Sequence, residues 1–187
     1  IGKESALASY FGENRIEKSE KEYFPIFPFG CNNSQYEAVK NAMENQLSII
    51  EGPPGTGKTQ TILNIIANIL MNGKTVQVVS NNNSAIQNVY EKLSSSKYNL
   101  GFIVASLGKS DNKKKFIEKQ SEYPDFSSWK LEEDSVDIIN KIHSESIELK
   151  TVFDKQEKLA VLRQKQLQLS TEYKYFEDFI KESKKSL

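Results

Sequence analysis

One stretch of this chain, GPPGTGKT at positions 52–59, restricts the possible fold more than any other. It holds three glycines and two adjacent prolines, so neither a helix nor a strand can run through it. An apolar run at 47–51 comes directly before it, and isoleucines at helical spacing follow over 59–71. The pattern therefore predicts a buried strand, a tight loop and an amphipathic helix in succession.

The segments on either side of this unit continue the alternation. Residues 75–80 (TVQVVS) form a β-branched run and residues 101–104 (GFIV) a second apolar run. Amphipathic helices are expected over 36–45 and 84–93. Strands and helices that alternate with short connections predict an α/β fold, in which right-handed crossovers join the strands of a parallel sheet.

The C-terminal part of the chain differs in composition from the rest. Residues 111–187 hold 15 basic and 16 acidic side chains, against 10 and 9 in residues 1–110. Residues 131–187 contain no glycine or proline, and their apolar side chains recur at spacings of three, four and seven. This pattern predicts either one long helix or a helical hairpin, with a narrow apolar seam open to self-association or coiled-coil pairing.

Length and composition suggest three parts: an N-terminal extension (1–30), a core (31–110) and a helical arm or insertion (111–187). Within the extension, the two prolines of YFPIFPFG at 23–30 predict an extended strap whose aromatic rings pack on the core. The 25 basic side chains equal the 25 acidic ones, which argues against coating of nucleic acid by bulk charge. With no run of 18 apolar residues, no signal peptide and a single cysteine, we expect a cytoplasmic protein without a membrane span.

The glycine-rich loop matches G-x-x-x-x-G-K-[ST], the pattern of a phosphate-binding loop that holds a nucleoside triphosphate. Its glycines let backbone N–H groups approach phosphate oxygens, and the N-terminus of the following helix adds partial positive charge. Lys58 is expected on the β- and γ-phosphates and Thr59 on Mg²⁺, which makes these two the predicted catalytic residues. The predicted nucleotide-binding residues of the loop are Gly52, Pro53, Pro54, Gly55, Thr56, Gly57, Lys58, Thr59 and Gln60.

Two further motifs flank the loop. NSQ-x-x-AV starts at Asn33, so that its glutamine, Gln35, lies 17 residues before Gly52, and VVSNNNSAIQNV spans 78–89. Together with the loop they make residues 30–110 resemble superfamily 1 helicases, most closely the 1B group that includes the nonsense-mediated-decay helicase. The resemblance implies the ATP-binding part of a RecA-like P-loop NTPase, in which ATP and Mg²⁺ drive movement along DNA or RNA.

The resemblance also assigns roles to individual residues. Gln35 matches the glutamine whose carboxamide selects adenine, which is sensible because a carboxamide both donates and accepts hydrogen bonds at the edge of the base. Asn82, Asn83 and Ala85 match the motif that contacts the phosphates of a nucleic-acid single strand. Two departures stand out: Asn81 and Asn82 replace the usual Pro-Ser, and Gln87 replaces the usual acidic residue.

Simpler interpretations of these residues stay open. Gln35 also suits a capping pair in the first turn of its helix, and the run 81–83 suits a polar turn that caps the next helix. The whole chain is also compatible with the head of a chromosome-maintenance-type coiled-coil ATPase, with an AAA-type module, or with a non-catalytic nucleotide-binding module. Because no strand-terminating Asp-Glu pair and no candidate arginine finger is evident, we expect this chain to bind ATP weakly and not to hydrolyse it alone.

Overall fold

The computed structural model describes residues 5–12, 15–20, 22–108, 110–118, 125–130 and 132–185. Helices account for the regular structure within them: α1 (Ala6–Tyr10), α2 (Asn33–Glu44), α3 (Lys58–Met71), α4 (Asn83–Ser94), α5 (Ser110–Glu118), α6 (Ser135–Lys185) and short 3-10 helices at Gly101–Ile103 and Phe126–Trp129. The chain divides into two compact units, Ile1–Ile142 and His143–Leu187. The boundaries expected at residues 30 and 110 stay predictions.

The expected RecA-like α/β core with a parallel sheet is wrong for the described residues. They contain no strand, and their β pairing consists of one isolated antiparallel bridge between Lys18 and Asn45. The predicted strands at 47–51 and 75–80 have no regular secondary structure, with Ile49 77% and Val79 79% exposed. A β-branched run favours an extended backbone, but a strand forms only where a neighbouring segment pairs with its N–H and C=O groups. Such pairing is absent among these segments.

The third predicted strand, 101–104, is also wrong, because Gly101–Ile103 is a 3-10 helix. In contrast, the helices expected over 36–45, 59–71 and 84–93 are confirmed within a few residues by α2, α3 and α4. The backbone hydrogen bonds of a helix form within the segment itself, so these helices form although no sheet lies beside them.

Helix α3, which begins at the glycine-rich loop, packs against both α2 and α4. Its apolar face contributes Leu63 and Ile66 to a small hydrophobic core, completed by Val89 and Leu93 of α4. The half-buried side chains packed against this core are Phe29, Val78, Leu100 and Val104. Burial of this apolar face fixes α3 and, with it, the loop from which α3 starts.

The helical arm is formed largely by one element. α6 is a single helix of 51 residues, so the sequence alternative of a hairpin within Ser135–Lys185 is not realised. Every side chain from 154 to 183 is exposed. The apolar side chains on this part of α6 therefore face solvent.

Candidate nucleotide-binding site

The glycine-rich loop is a tight turn whose shape depends on glycine. Gly55 and Gly57 adopt left-handed backbone angles, with φ of +84° and +81°. The Thr56 hydroxyl donates to the Pro53 carbonyl oxygen at 2.8 Å and closes the turn. A Cβ atom on Gly52 would lie 2.7 Å from the Thr56 hydroxyl oxygen. Side chains at these glycine positions would therefore strain or obstruct the turn.

The cation of the loop lies beside its first two residues. The Lys58 ammonium donates to the carbonyl oxygens of Gly52 and Pro53, the second at 3.0 Å. Lys58 is the first residue of α3 and is exposed, and Thr59 follows it in the first turn, half-buried. A phosphate oxygen in the loop would replace one of these carbonyls as the acceptor for the ammonium. The residues present thus fit an anionic ligand at the N-terminus of α3.

Gln35 connects α2 to the loop. Its side-chain oxygen accepts from the Asn32 N–H at 2.9 Å, while Asn32 Oδ1 accepts from the Gln35 N–H at 2.9 Å, which completes a capping box. The capping alternative is therefore observed. The side-chain nitrogen of the same residue also reaches the loop and donates to the carbonyl oxygens of Thr56 and Gly57, each at 3.3 Å. A single carboxamide thus caps one helix and contacts the turn that starts another.

A cavity of about 300 Å³ lies beside this carboxamide. Gln35 Nε2 donates to Gln60 Oε1 at 3.2 Å, and Gln60 Nε2 donates to the Phe29 carbonyl oxygen. The residues lining the cavity are Cys31, Asn32, Gln35, Gly55, Thr56, Gly57 and Gln60. The structure therefore brings together Gln35, Gln60 and the second half of the loop, three of the features singled out in the sequence.

Cys31, a lining residue, is half-buried, and burial raises the pKa of its thiol. Its thiolate form is therefore disfavoured at neutral pH. The cavity wall at this position is a small, weakly polar group.

Gln60, Asn64 and Asn68 of α3 and Asn72 at its C-cap form an amide ladder, of which the sequence singled out Gln60 alone. Asn64 and Asn68 are fully buried, with 0% exposure. Asn64 accepts from the Phe29 N–H at 3.2 Å and donates to the Gly30 carbonyl at 2.8 Å. The available signal was polar carboxamides every four residues in a helix that is otherwise mostly apolar.

The ladder holds the strap (residues 23–30) along α3. The predicted strap is therefore confirmed, but hydrogen bonds from the ladder to its backbone secure it as well as the packing of its aromatic rings. Phe27 stacks on Tyr36 with centroids 5.2 Å apart, and Phe29 lies 4.6 Å from the Tyr98 ring. Near the start of the strap, the Tyr23 hydroxyl accepts from Asn72 Nδ2 at 2.8 Å. Burial raises the pKa of Tyr23, and this hydrogen bond partly offsets the rise. The end of the strap leads directly into the cavity wall.

The residues predicted to contact nucleic acid lie at the start of α4. Asn82 Oδ1 accepts from the Ser84 N–H at 3.0 Å, and so the capping alternative is observed at this position too. Asn82, Asn83 and Ala85 are all exposed, and they are not among the residues that line the cavity. The residues singled out in the sequence therefore divide between a cavity beside the glycine-rich loop and a separate polar turn.

The described residues hold neither a cluster of metal-binding side chains nor a helix suited to crossing a membrane. No group of three or more His, Cys, Asp or Glu residues is arranged to hold a metal ion within that part of the chain. None of the helices described there is both long and apolar enough to cross a membrane.

Several known proteins are similar to this chain. It is 35% identical over 133 residues to the uncharacterized ATP-dependent helicase MG140 homolog of Mycoplasma pneumoniae, covering 65% of this chain and 11% of that protein. It is 44% identical over 66 residues to the DNA polymerase alpha-associated DNA helicase A of Schizosaccharomyces pombe, covering 35% of this chain and 10% of that protein. It is 44% identical over 63 residues to the regulator of nonsense transcripts 1 homolog of Drosophila melanogaster, covering 33% of this chain and 5% of that protein.

The chain thus spans about a tenth or less of the length of these relatives. No solved structure matches it. The names of the relatives confirm the expected relationship to superfamily 1 helicases and favour it over a chromosome-maintenance-type head. A family profile described as an AAA domain matches residues 30–187, which include the glycine-rich loop and the arm. The match covers well over half of the chain and shows that it belongs to the AAA domain family.

Proposed function

We propose that this chain is the ATP-binding part of an ATP-dependent helicase or translocase that acts on DNA or RNA. The observation that carries the proposal is the contact between Gln35 and the loop carbonyls of Thr56 and Gly57. It brings the carboxamide expected to select the base next to the loop expected to hold the phosphates. The relatives named as ATP-dependent helicases support the same activity.

The phosphates would occupy the glycine-rich loop at the N-terminus of α3. There they would accept hydrogen bonds from backbone N–H groups and from the Lys58 ammonium, which would exchange its carbonyl partners for phosphate oxygens. Thr59 would offer its hydroxyl to Mg²⁺. The magnesium ion, when bound, neutralises negative charge on the β- and γ-phosphates. Lys58 and Thr59 are therefore the proposed catalytic residues of this chain.

The base would lie in the cavity between Gln35 and Gln60. Both ends of the Gln35 carboxamide already form hydrogen bonds, the oxygen with Asn32 and the nitrogen with the loop and Gln60. Adenine would accept at N7 from the nitrogen and donate from its 6-amino group to the second lone pair of the oxygen, whose first lone pair stays in the capping box. A base that replaces this contact also releases the loop carbonyls, so base binding and the shape of the loop are linked at one side chain.

The proposal has three further parts, which concern nucleic acid, self-association and cellular location. A nucleic-acid single strand would contact Asn82, Asn83 and Ala85, which the resemblance assigns and whose exposure leaves them accessible. The exposed apolar seam of α6 supports self-association through the arm. We also propose a cytoplasmic location, which the single cysteine of the sequence supports.

Nucleotide binding by the chain tests the site directly. We expect Lys58→Ala to weaken ATP binding at least tenfold in calorimetry, whereas Lys74→Ala, an exposed lysine beyond the end of α3, leaves it unchanged. Gln35→Ala should abolish a preference for ATP over GTP, with Gln87→Ala as the matched control. Equal affinity of the wild type and Lys58→Ala would refute the proposed phosphate site.

A second experiment tests ATP hydrolysis by this chain, separately from ATP binding. We expect this chain alone to bind ATP without appreciable turnover, as measured by phosphate release. Robust turnover that is lost in Lys58→Ala would show that the catalytic groups are already present in these 187 residues.

A further inference from the structure

The C-terminal half of α6 carries a continuous apolar seam. When it is written as heptads with Leu159 at position a, the a and d positions over 159–180 are apolar at every place except Gln166. The seam residues are Leu159, Leu162, Gln166, Leu169, Tyr173, Phe176 and Ile180. Apolar a and d positions sustained over three heptads are typical of a coiled coil.

The seam is uncovered in the described part of the chain. Leu169, Tyr173 and Phe176 keep 56%, 63% and 59% of their surface exposed, and Leu162 keeps 54%. A row of exposed leucines and aromatic rings along one helix is unfavourable in water and marks an interaction surface. The same part of α6 also exposes Val161, Leu167, Tyr175 and Phe179 outside the seam, but the a and d positions are the ones that recur at heptad spacing and suit a partner helix of matching period.

We propose that α6 pairs with α6 of a second copy of this chain as an antiparallel two-stranded coiled coil. In the proposed register, Leu162 lies opposite Tyr173 of the second copy and Leu159 lies opposite Phe176 of the second copy. The inference rests on the proposed self-association of the arm and adds its orientation and register. Each a residue thereby meets a d residue of the other helix, as antiparallel packing requires.

The charges that flank the seam distinguish antiparallel from parallel pairing. In a parallel in-register pair, Lys158 would lie beside Arg163 of the second copy and Glu172 beside Glu177 of the second copy. Both contacts would bring like charges together. In the antiparallel pair, Lys165 lies beside Glu172 of the second copy, and the twofold symmetry repeats this attractive contact. The flanking charges therefore favour the antiparallel orientation.

Each one-heptad shift adds some attractive contacts, but the proposed antiparallel register is the one in which no like charges face each other across the seam. A shift by one heptad in one direction would place Lys165 beside Lys165 of the second copy. A shift in the other direction would place Glu172 beside Glu172 of the second copy. In the present helix Glu172 accepts from Gln168 at 3.0 Å, a contact that leaves its second carboxylate oxygen available to a lysine across the pair.

Gln166 is the polar exception in the seam, and the proposed register gives it a partner. The two Gln166 side chains lie on either side of the twofold axis, about one helical turn apart, where their carboxamides can reach each other. A polar residue at one a position specifies register at a cost in stability. We therefore expect Gln166→Leu to stabilise the dimer and to loosen its choice of register.

Disulfide cross-linking tests orientation and register together. Leu162→Cys and Tyr173→Cys are prepared separately in a Cys31→Ser background, then oxidised alone and after mixing. The proposal expects a cross-linked dimer only in the mixture, because each new cysteine faces the other position across the pair. Cross-links in each variant alone would indicate parallel pairing, which refutes the orientation but keeps self-association. A monomer by light scattering at about 100 µM, with no cross-link, refutes both.

A charge exchange provides an independent measurement. Glu172→Lys should raise the dissociation constant of the antiparallel dimer about fivefold, since two attractive contacts become repulsive. In a parallel dimer the same change would lower the dissociation constant. The double variant Lys165→Glu/Glu172→Lys should restore it, and Lys174→Glu, at an outward b position, serves as the control. An unchanged dissociation constant in Glu172→Lys would overturn the register, while ATP binding in the same samples reports on the nucleotide site separately.

Discussion

Asn68 binds both backbone groups of Ile26: its side-chain oxygen accepts from the Ile26 N–H at 2.9 Å, and its side-chain nitrogen donates to the Ile26 C=O at 2.8 Å. One carboxamide thus satisfies the donor and acceptor that a neighbouring strand would otherwise pair with. Asn64 does the same for the N–H of Phe29 and the C=O of Gly30. Two carboxamides four residues apart on α3 thereby hold the strap, and no neighbouring strand is needed.

Because Asn68 attaches the strap in this way, we expect loss of its carboxamide to lower the free energy of unfolding substantially. Asn68→Leu would leave the N–H and C=O of Ile26 without their partner, and unsatisfied buried groups cost roughly 1–3 kcal/mol each. We expect the free energy of unfolding to fall by about 3 kcal/mol in urea titrations. Asn72→Leu, at the exposed end of the amide ladder, should cost less than about 1 kcal/mol. Similar losses in the two variants would contradict the role assigned to Asn68.

The helices and the loop could be predicted from the sequence, because the determinants of both are local. Gly57 and Gly73 take left-handed backbone angles at the two ends of α3, with φ of +81° and +67°, as a glycine at a helix terminus readily does. Pairing between segments is not local, and a β-branched run such as 75–80 does not indicate whether a neighbour is present. That is the physical reason why the predicted sheet was wrong.

Residues of the candidate site could be predicted from the sequence, but the hydrogen bonds that connect them could not. Gln35 and the loop were singled out by their motifs, yet the hydrogen bonds from Gln35 to Gln60 and on to Phe29 depend on how α2, α3 and the strap pack. Buried carboxamides such as Asn64 look like ordinary polar helix residues until the segment that they bind is known. Their spacing of four was the available clue.

Gly57→Ala should impair both stability and nucleotide binding. The position has a left-handed backbone, and a Cβ atom there would overlap the side-chain nitrogen of Gln35. The matched control is Gly73→Ala, which has the same handedness but nothing within 4 Å of the added carbon. Both variants should lose about 1 kcal/mol of stability from backbone strain. Only Gly57→Ala should also weaken ATP binding, and equal ATP affinities in the two variants would argue against the contact.

Cys31 should react slowly with iodoacetamide. Burial raises the pKa of its thiol, so the reactive thiolate is scarcer at pH 8 than for a cysteine in the unfolded chain. The rate in the folded protein should therefore rise with pH along a curve displaced to higher pH than the one measured in urea. Because Cys31 lines the cavity, saturating ATP should slow the reaction further. Superimposable curves in the folded and unfolded chain would contradict its burial.

Gln60→Glu should make the free energy of unfolding depend on pH. The wild-type carboxamide donates to the Phe29 carbonyl and accepts from Gln35, and an ionised carboxyl can keep only the second contact. Facing a carbonyl oxygen, the new carboxyl should ionise with a raised pKa, because only its protonated form can donate to Phe29.

The penalty of Gln60→Glu should therefore be complete at a pH above the raised pKa of the folded chain and should fade as the pH falls from there. It should be absent below about 4.3, the ordinary pKa of glutamate, where the group is protonated in both folded and unfolded chains. Urea titrations of Gln60→Glu and wild type between pH 4 and 8 would measure the difference in the free energy of unfolding. Gln87→Glu, on the exposed face of α4, should show no comparable trend. A constant difference across this range would mean that the Gln60–Phe29 contact does not orient the carboxamides of the cavity.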